Sequence, residues 1–311
     1  MVTSEVLAFD FGGTKARCAL VSRDGRLGPT RAQRRPPSAD GPRWLARMLD
    51  EGRGLLAEAG PGAPRAVGVS FGGPVDDEGR VSSMHVAGWE KVDLRRSMRE
   101  AFGLPCLVDN DANLGALGEQ RFGAGRDTAH LAYFTVSTGV GGGVVLQGKV
   151  HHGAHGIAGE FGHIPFRPFD LAAPECACGK RGCVESLASG RAIAREGRRA
   201  LAAVGRPAPD DLTAEQVFAA AGRDETWALG VRDRAVEALA HAVASVLCVL
   251  DLPVVVIGGG VAQAGELLLG PLRGRVEDAL PEVLRGRSQV RQAALGDFSS
   301  LLGAAALAME D

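Results

Sequence analysis

Apolar residues in this chain fall in short runs that break at glycine, and the breaks repeat. Residues 6–9 are apolar, Asp10 closes the run, Gly12-Gly13-Thr14 follow, and 17–21 is mostly apolar again. That order predicts a strand, a tight turn and an antiparallel strand. It returns at 131–136, Ser137-Thr138-Gly139, a turn expected at Gly141-Gly142-Gly143, and a strand at 144–146. Two such hairpins point to a duplicated α/β core with its cleft between the halves. Between them, Trp44, Leu45, Met48, Leu49, Leu55 and Leu56 make one stripe of an amphipathic helix over 43–58. Residues 66–69 read as a strand that breaks at Gly72-Gly73-Pro74, and 106–108 as another that ends in Asp109-Asn110-Asp111. A helix is expected from near Asn113 to about Arg121, and the Pro- and Arg-rich stretch 31–42 reads as a surface loop.

Further on, 147–187 is rich in Gly, His and Cys and reads as irregular, and the chain turns helical from about 188. Thr213-Ala214-Glu215-Gln216 fits a capping box. A long helix follows over 227–250, then a buried strand at 254–257 ending in Gly258-Gly259-Gly260, and a short Ala/Leu helix at 299–309.

The length, 311 residues, and the 45% hydrophobic content allow about two domains. A formal net charge of −2 offers no basic excess for nucleic acid and no polybasic arm for a membrane surface. The first residues carry no basic segment followed by a long apolar one, and the apolar stretches are too short to span a bilayer, so a cytoplasmic location is expected. Of six cysteines, three crowd between 176 and 183, which reads as metal ligands; Cys18, Cys106 and Cys248 read as core thiols.

The candidate chemistry sits at the breaks. In Asp10-Phe11-Gly12-Gly13-Thr14-Lys15, glycines at a strand turn let backbone N–H groups face an anion, Thr14 adds a hydroxyl, and Asp10 is suited to hold magnesium directly or through water. Alone the segment is equally an ordinary hairpin. The second loop, with Thr138 and Gly139, suggests a phosphate chain gripped from both sides. Gly258 and Gly259 either lie under a nucleotide or cap the strand. Asp109-Asn110-Asp111-Ala112-Asn113 puts carboxylates and amides at a strand end, where α/β folds bind ligands, although Asp and Asn also cap helices. His163 followed by Cys176, Cys178 and Cys183 makes a closed three-thiolate, one-imidazole set suited to structural zinc. His151, His152 and His155 read as solvated loop residues in preference to ligands.

Taken in order, DFGGTK at 10–15, GVSFGGPVD at 68–76, DNDAN at 109–113, STGVGGG at 137–143, GIAGEFGH at 156–163, CACGKRGCVE at 176–185, IGGGV at 257–261 and LLGAA at 301–305 resemble the ROK (repressor, open reading frame, kinase) family over nearly the whole chain. The resemblance implies an α/β fold of two ribonuclease H-like lobes around a cleft, of the actin and hexokinase type. The lobes are expected at 1–112, with 299–311 returning to it, and at 113–298. It implies an ATP- and magnesium-dependent sugar kinase containing structural zinc, with glucose the expected acceptor, and a homo-oligomer, dimer or tetramer. Asp111 matches the catalytic carboxylate, and Asn110, Glu160, His163 and Glu185 match positions that bind sugar hydroxyls. His163 would then serve both zinc and sugar, one ring nitrogen to each. Two segments depart from the family: His85-Val86-Ala87-Gly88-Trp89 stands where Asn-Leu/Ile-Pro-Gly-Trp is common, and His155 where Asn is frequent. Fructose and the N-acetyl hexosamines are the rival substrates, and polyphosphate the rival donor, which a net acidic chain does not favour. A sugar-sensing member that has lost catalysis is the remote alternative, against which the intact Asp111 and both phosphate loops argue. The family's DNA-binding repressors carry an extra domain before the first loop; only nine residues precede Asp10 here, so a repressor is not expected.

Overall fold

The computed structural model describes residues 4–59, 64–83, 86–167 and 170–310. In chain order, β1 (Ser4–Phe11), β2 (Lys15–Ser22) and β3 (Leu27–Arg34) are followed by α1 (Gly41–Ala59), β4 (Ala66–Phe71), α2 (Leu94–Phe102), β5 (Cys106–Asn110) and α3 (Asp111–Phe122). Next come β6 (Leu131–Val136), β7 (Val140–Leu146), β8 (Lys149–Val150), α4 (Val184–Ala188), α5 (Gly190–Ala203), α6 (Ala214–Ala221) and α7 (Thr226–Leu250). The chain closes with β9 (Val254–Gly258), α8 (Glu266–Ala279), β10 (Gln289–Gln292) and α9 (Ser299–Ala308). Among the described residues the strands form two five-stranded sheets, in the orders β3-β2-β1-β4-β5 and β10-β9-β6-β7-β8.

The chain packs as two compact units: residues 1–129, 143–158 and 298–311 form the first, 130–142 and 159–297 the second. The expected boundary at 112/113 therefore does not coincide with the observed one. The reason is α3, which packs along α9 and stays with the first unit.

In the first unit, β1 runs antiparallel to β2 and parallel to β4, and β4 parallel to β5. Alternation along β1 sends Leu7, Phe9 and Phe11 to one face, where Trp44 and Met48 of α1 and Leu94 and Met98 of α2 complete the core. Trp89 sits in that core edge-on to both Phe11 and Phe71, so the Gly-Trp segment braces the ends of β1 and β4. The other face receives α9, and α3 packs along α9. This layer includes buried leucines, but glycines stand where its two helices come closest. An added β-carbon at Gly303 would overlap the Leu114 carbonyl, and one at Gly118 would overlap that of Ser299, so the two helices meet backbone to backbone. That contact is the physical content of the Leu-Leu-Gly-Ala-Ala segment.

In the second unit, β6, β9 and β10 are parallel, and a layer of helices led by the long α7 packs with α4, α5, α6 and α8. Thr213 and Gln216 form the expected capping box at α6.

Four expectations change. Residues 27–34 form β3, an edge strand with no buried residue and no alternation of apolar and polar positions, held by main-chain pairing to β2 and by Arg31 and Gln33, which bond to carboxylates of α1. The glycines at 141–143 lie inside β7 and the turn is 137–139. They belong in the strand because Phe161 lies where a side chain at 142 would go and the Ala112–Asn113 backbone where one at 143 would. Helix α3 starts at Asp111, not near Asn113, because Asn110 caps it. Cys248 is exposed, whereas Cys18 and Cys106 are buried thiols that burial pushes up to about 12, unreactive as expected of core positions.

Candidate active site

Register builds the first part of the site. Asp10 pairs with Ser70, and Ser70 with Asp109, so three polar residues occupy matching positions near the C-terminal ends of parallel β1, β4 and β5. The Ser70 hydroxyl, fully buried, donates to Asp10 Oδ1 at 2.8 Å. That bond fixes the orientation of the carboxylate expected to serve magnesium, a hard oxygen ligand of the type that ion takes. Beyond Asp10, Gly12 N–H donates to the Lys15 carbonyl at 2.9 Å and closes the turn. Arg35 supports the turn from outside, its Nε donating to the Gly13 carbonyl and its N–H to that of Thr14, each at 2.9 Å. Gly13, Thr14 and Lys15 are exposed. A β-carbon at Gly13 would meet nothing within 4 Å, and Gly13 is not among the positive-φ residues. Neither packing against the protein nor a positive φ accounts for the glycine at 13.

The β5–α3 junction carries Asn110 and Asp111. Asn110 Oδ1 accepts from the N–H groups of Ala112 (2.9 Å) and Asn113 (3.3 Å), and its Nδ2 donates to the Gly73 carbonyl at 3.1 Å. The capping role expected within this segment therefore falls to Asn110, whose Nδ2 is also tied to the β4–α2 connection through Gly73. Asp111 is the first residue of α3, and the Ser300 hydroxyl of α9 donates to its carbonyl at 2.8 Å. Asp109 lies behind both and is nearly buried. Its Oδ1 accepts from Asn110 N–H at 2.6 Å and from Asn113 Nδ2 at 3.1 Å, and its Oδ2 is 2.7 Å from His152 Nε2. His152 had been expected to be solvated. No pattern in the irregular stretch 147–187 distinguishes it from His151 or His155, and only the fold brings it to Asp109. Ser70 and Asn113 were visible inside quoted segments without an assigned role.

The second unit holds the other loop. Ser137 N–H donates to the Gly139 carbonyl at 2.8 Å, while Gly190 N–H and Arg191 Nε of α5 take the carbonyls of Ser137 (2.7 Å) and Thr138 (3.2 Å). Those bonds occupy carbonyls and leave the Thr138 hydroxyl exposed. Glu185, in the first turn of α4, accepts from Val140 N–H at 3.0 Å, and its Oε2 lies 2.5 Å from where a Gly139 β-carbon would sit. Gly258 and Gly259 have reasons inside the protein. A side chain at 258 would strike the Tyr133 ring, and Gly259 has φ +84° against the Val136 backbone.

Glu160 precedes a short 3-10 turn, Phe161–His163, anchored by Phe161 stacked on Phe134 at 4.5 Å between ring centroids. Glu160 Oε2 is 3.7 Å from His163 Nε2, while His163 Nδ1 is 3.5 Å from Cys176 Sγ. The two ring nitrogens thus face different partners. Cys178 Sγ and Cys183 Sγ are 3.7 Å apart, and all four ligand atoms lie within 4.8 Å of one another. Tetrahedral zinc, with Zn–S of about 2.3 Å and Zn–N of about 2.0–2.1 Å, requires edges of about 3.8 Å between sulfurs and about 3.5 Å between sulfur and nitrogen. The donor set fits that ion in chemistry and spacing. Burial pushes the Cys183 thiol up to about 12 and raises Cys176 as well, a preference that coordination of a cation reverses by stabilising thiolate.

The ROK family profile matches residues 6–311. The chain belongs to the ROK family. It is 36% identical to the glucokinase of Thermotoga maritima over 315 residues, 98% of each chain. The ROK hexokinase of Thermus thermophilus is 33% identical, superposes with a TM-score of 0.82, and is matched over 98% of both chains. A ROK glucokinase from Streptomyces griseus, solved in complex with glucose and AMPPNP, is 31% identical with a TM-score of 0.80, over 98% of this chain and 99% of that one. The fold is accordingly the two-sheet α/β architecture of the ROK sugar kinases. Of the two departures from the ROK pattern, His85 lies outside the described residues, and His155 is exposed on the loop after β8.

Proposed function

We propose that this chain is an ATP-dependent hexokinase that transfers the γ-phosphoryl group of ATP to the 6-hydroxyl of glucose. End-to-end similarity to glucokinases carries the reading. The β5–α3 junction supports it, because it puts the Asp111 carboxylate and the Asn110 amide side by side at the C-terminal end of a parallel strand, where α/β folds bind ligands. Asp111 accepts the proton of the attacking 6-hydroxyl, or orients it, and Asn110 Nδ2 donates to a neighbouring hydroxyl. Glu160, His163 through Nε2, and Glu185 take further hydroxyls. The backbone of 12–14 and 138–139, with the Thr14 and Thr138 hydroxyls and Lys15, holds the phosphate chain, and Gly258 and Gly259 allow close approach of the nucleoside. Asp10 would hold magnesium, which neutralises phosphate charge when bound.

His163, Cys176, Cys178 and Cys183 would hold zinc. A closed four-ligand site has no open position for substrate, so its part is to fix the loop that carries Glu160 and Glu185. The same proposal includes a cytoplasmic location and a homo-oligomeric state. The test is a coupled assay of ADP release from ATP with glucose, fructose, mannose, N-acetylglucosamine or N-acetylmannosamine. Turnover is expected to be highest with glucose. A clear preference for an N-acetyl sugar, or no sugar-dependent ADP release, overturns the assignment.

A further inference from the structure

The sugar kinase reading leaves one ordered contact unused. His152 follows β8 directly, on a loop rich in glycine, and half of its side chain is solvent-exposed. Its Nε2 nevertheless lies 2.7 Å from Asp109 Oδ2, on a carboxylate whose side chain is only 8% exposed. The partners of Asp109 explain why that matters. Oδ1 takes the N–H of Asn110 and the amide of Asn113, leaving Oδ2 to His152. A carboxylate held this way fixes both sides of the turn that presents Asp111: the backbone entering it at Asn110 and the helix leaving it at Asn113.

We infer that His152 is a positioning residue for phosphoryl transfer, holding Asp109 so that Asp109 holds Asn110 and Asp111 in line with the sugar. The inference rests on the reading of Asp111 as the base. The chain that carries His152 is tied down locally, since His151 N–H donates to the Val144 carbonyl at 2.8 Å and Ala158 N–H to that of His152 at 3.0 Å. The imidazole is therefore delivered by an ordered loop rather than by a free side chain. Without it, a nearly buried carboxylate would keep two partners on one oxygen and none of this kind on the other, and would be free to turn.

The charged groups that face His152 are Asp109 on β5 and, further off, Asp77 on the connection after β4. The hydrogen bond to Asp109 raises the histidine above its usual 6.5. The sign follows. A group with a raised folded-state pKa contributes fully below its unfolded pKa, and that contribution is lost as pH rises through the folded value. Below it the pair is imidazolium and carboxylate; above it Nε2–H still donates, but without the added charge.

His152→Ala and His152→Gln decide the matter, assayed over about pH 6 to about pH 9. The alanine variant is expected to lose about tenfold or more in kcat, with the KM for ATP within about twofold, as for a misplaced catalytic group. Glutamine keeps an N–H near the Nε2 position and cannot titrate. Wild-type kcat is expected to decline on the alkaline side as His152 loses its charge; glutamine is expected to restore kcat to within about threefold and to abolish that decline. Isothermal titration with glucose checks that each variant is folded. Unchanged kcat in His152→Ala overturns the inference, and so does a loss that glutamine fails to restore in a protein that still binds glucose. An unaltered alkaline limb in His152→Gln overturns it as well. Asp111→Asn separates the two levels: if it retains turnover, the base assignment itself fails; if it is inactive while His152→Ala is normal, only the role of His152 falls.

Discussion

Gly303 offers the sharpest test of how the site is held. It lies in the middle of α9, where Gly→Ala ordinarily stabilises by about 1 kcal/mol through helix propensity. Here the added carbon would overlap the Leu114 carbonyl and come within 2.9 Å of the Leu114 Cα. The obstacle is the backbone of a helix, which cannot rotate aside as a side chain would. Overpacking of this kind costs about 1–3 kcal/mol and sometimes more. Taking the upper part of that range and subtracting the propensity gain, Gly303→Ala is expected to lose about 2 kcal/mol, roughly a thirtyfold change in the folded-to-unfolded ratio. Gly274 supplies the control. It is exposed within α8, and a β-carbon there meets nothing within 4 Å, so Gly274→Ala is expected to gain about 0.5–1 kcal/mol. Urea denaturation followed by circular dichroism measures both. Because Leu114 is three residues from Asp111, the displaced helix should also lower kcat below the stability midpoint. If Gly303→Ala proves as stable as Gly274→Ala, the backbone-to-backbone contact is not what sets the α3–α9 distance, and the account of the Leu-Leu-Gly-Ala-Ala segment is wrong.

Asp111→Asn is expected to lower kcat by about a hundredfold or more while leaving glucose affinity near that of the parent, measured by steady-state kinetics and calorimetry. Elemental analysis should find one zinc per chain, and Cys178→Ser should lose it and bind glucose more weakly; active protein without zinc would refute the metal assignment. Ser70→Ala removes the donor to Asp10, and should raise the magnesium concentration needed for half-maximal rate by a few-fold with the glucose KM unchanged.

The paired glycine-rich hairpins, the amphipathic α1, the long α7 and the Cys/His set were legible because each has a local signature: alternation, period, or ligand spacing. What escaped had none. Edge strand β3 buries no residue and shows no alternation, and it exists through pairing with β2 and side-chain bonds to α1. The start of α3 shifted because Asn and Asp serve equally as caps and as catalytic side chains, and sequence does not say which residue takes which part. The glycines of β7 looked like a turn because glycine usually signals one; they are there to admit neighbouring atoms. His152 and Ser70 depend on strand register and on a loop returning from forty residues away, which no local pattern encodes.

The Ser300 hydroxyl reaches the Asp111 carbonyl across 189 residues. A nascent chain has made every strand of the first sheet once Asn110 emerges, yet the helix that covers one of its faces is synthesised only after the whole second unit. At about 5–20 residues per second, that interval lasts roughly ten to forty seconds. For that time Ala8, Ala19 and Gly68 present a shallow strip along that face, bordered by Val6 and Val21. The narrow side chains that let α9 approach so closely also leave the waiting sheet little to stick with. The order of synthesis and the choice of alanine and glycine on this face thus answer one another.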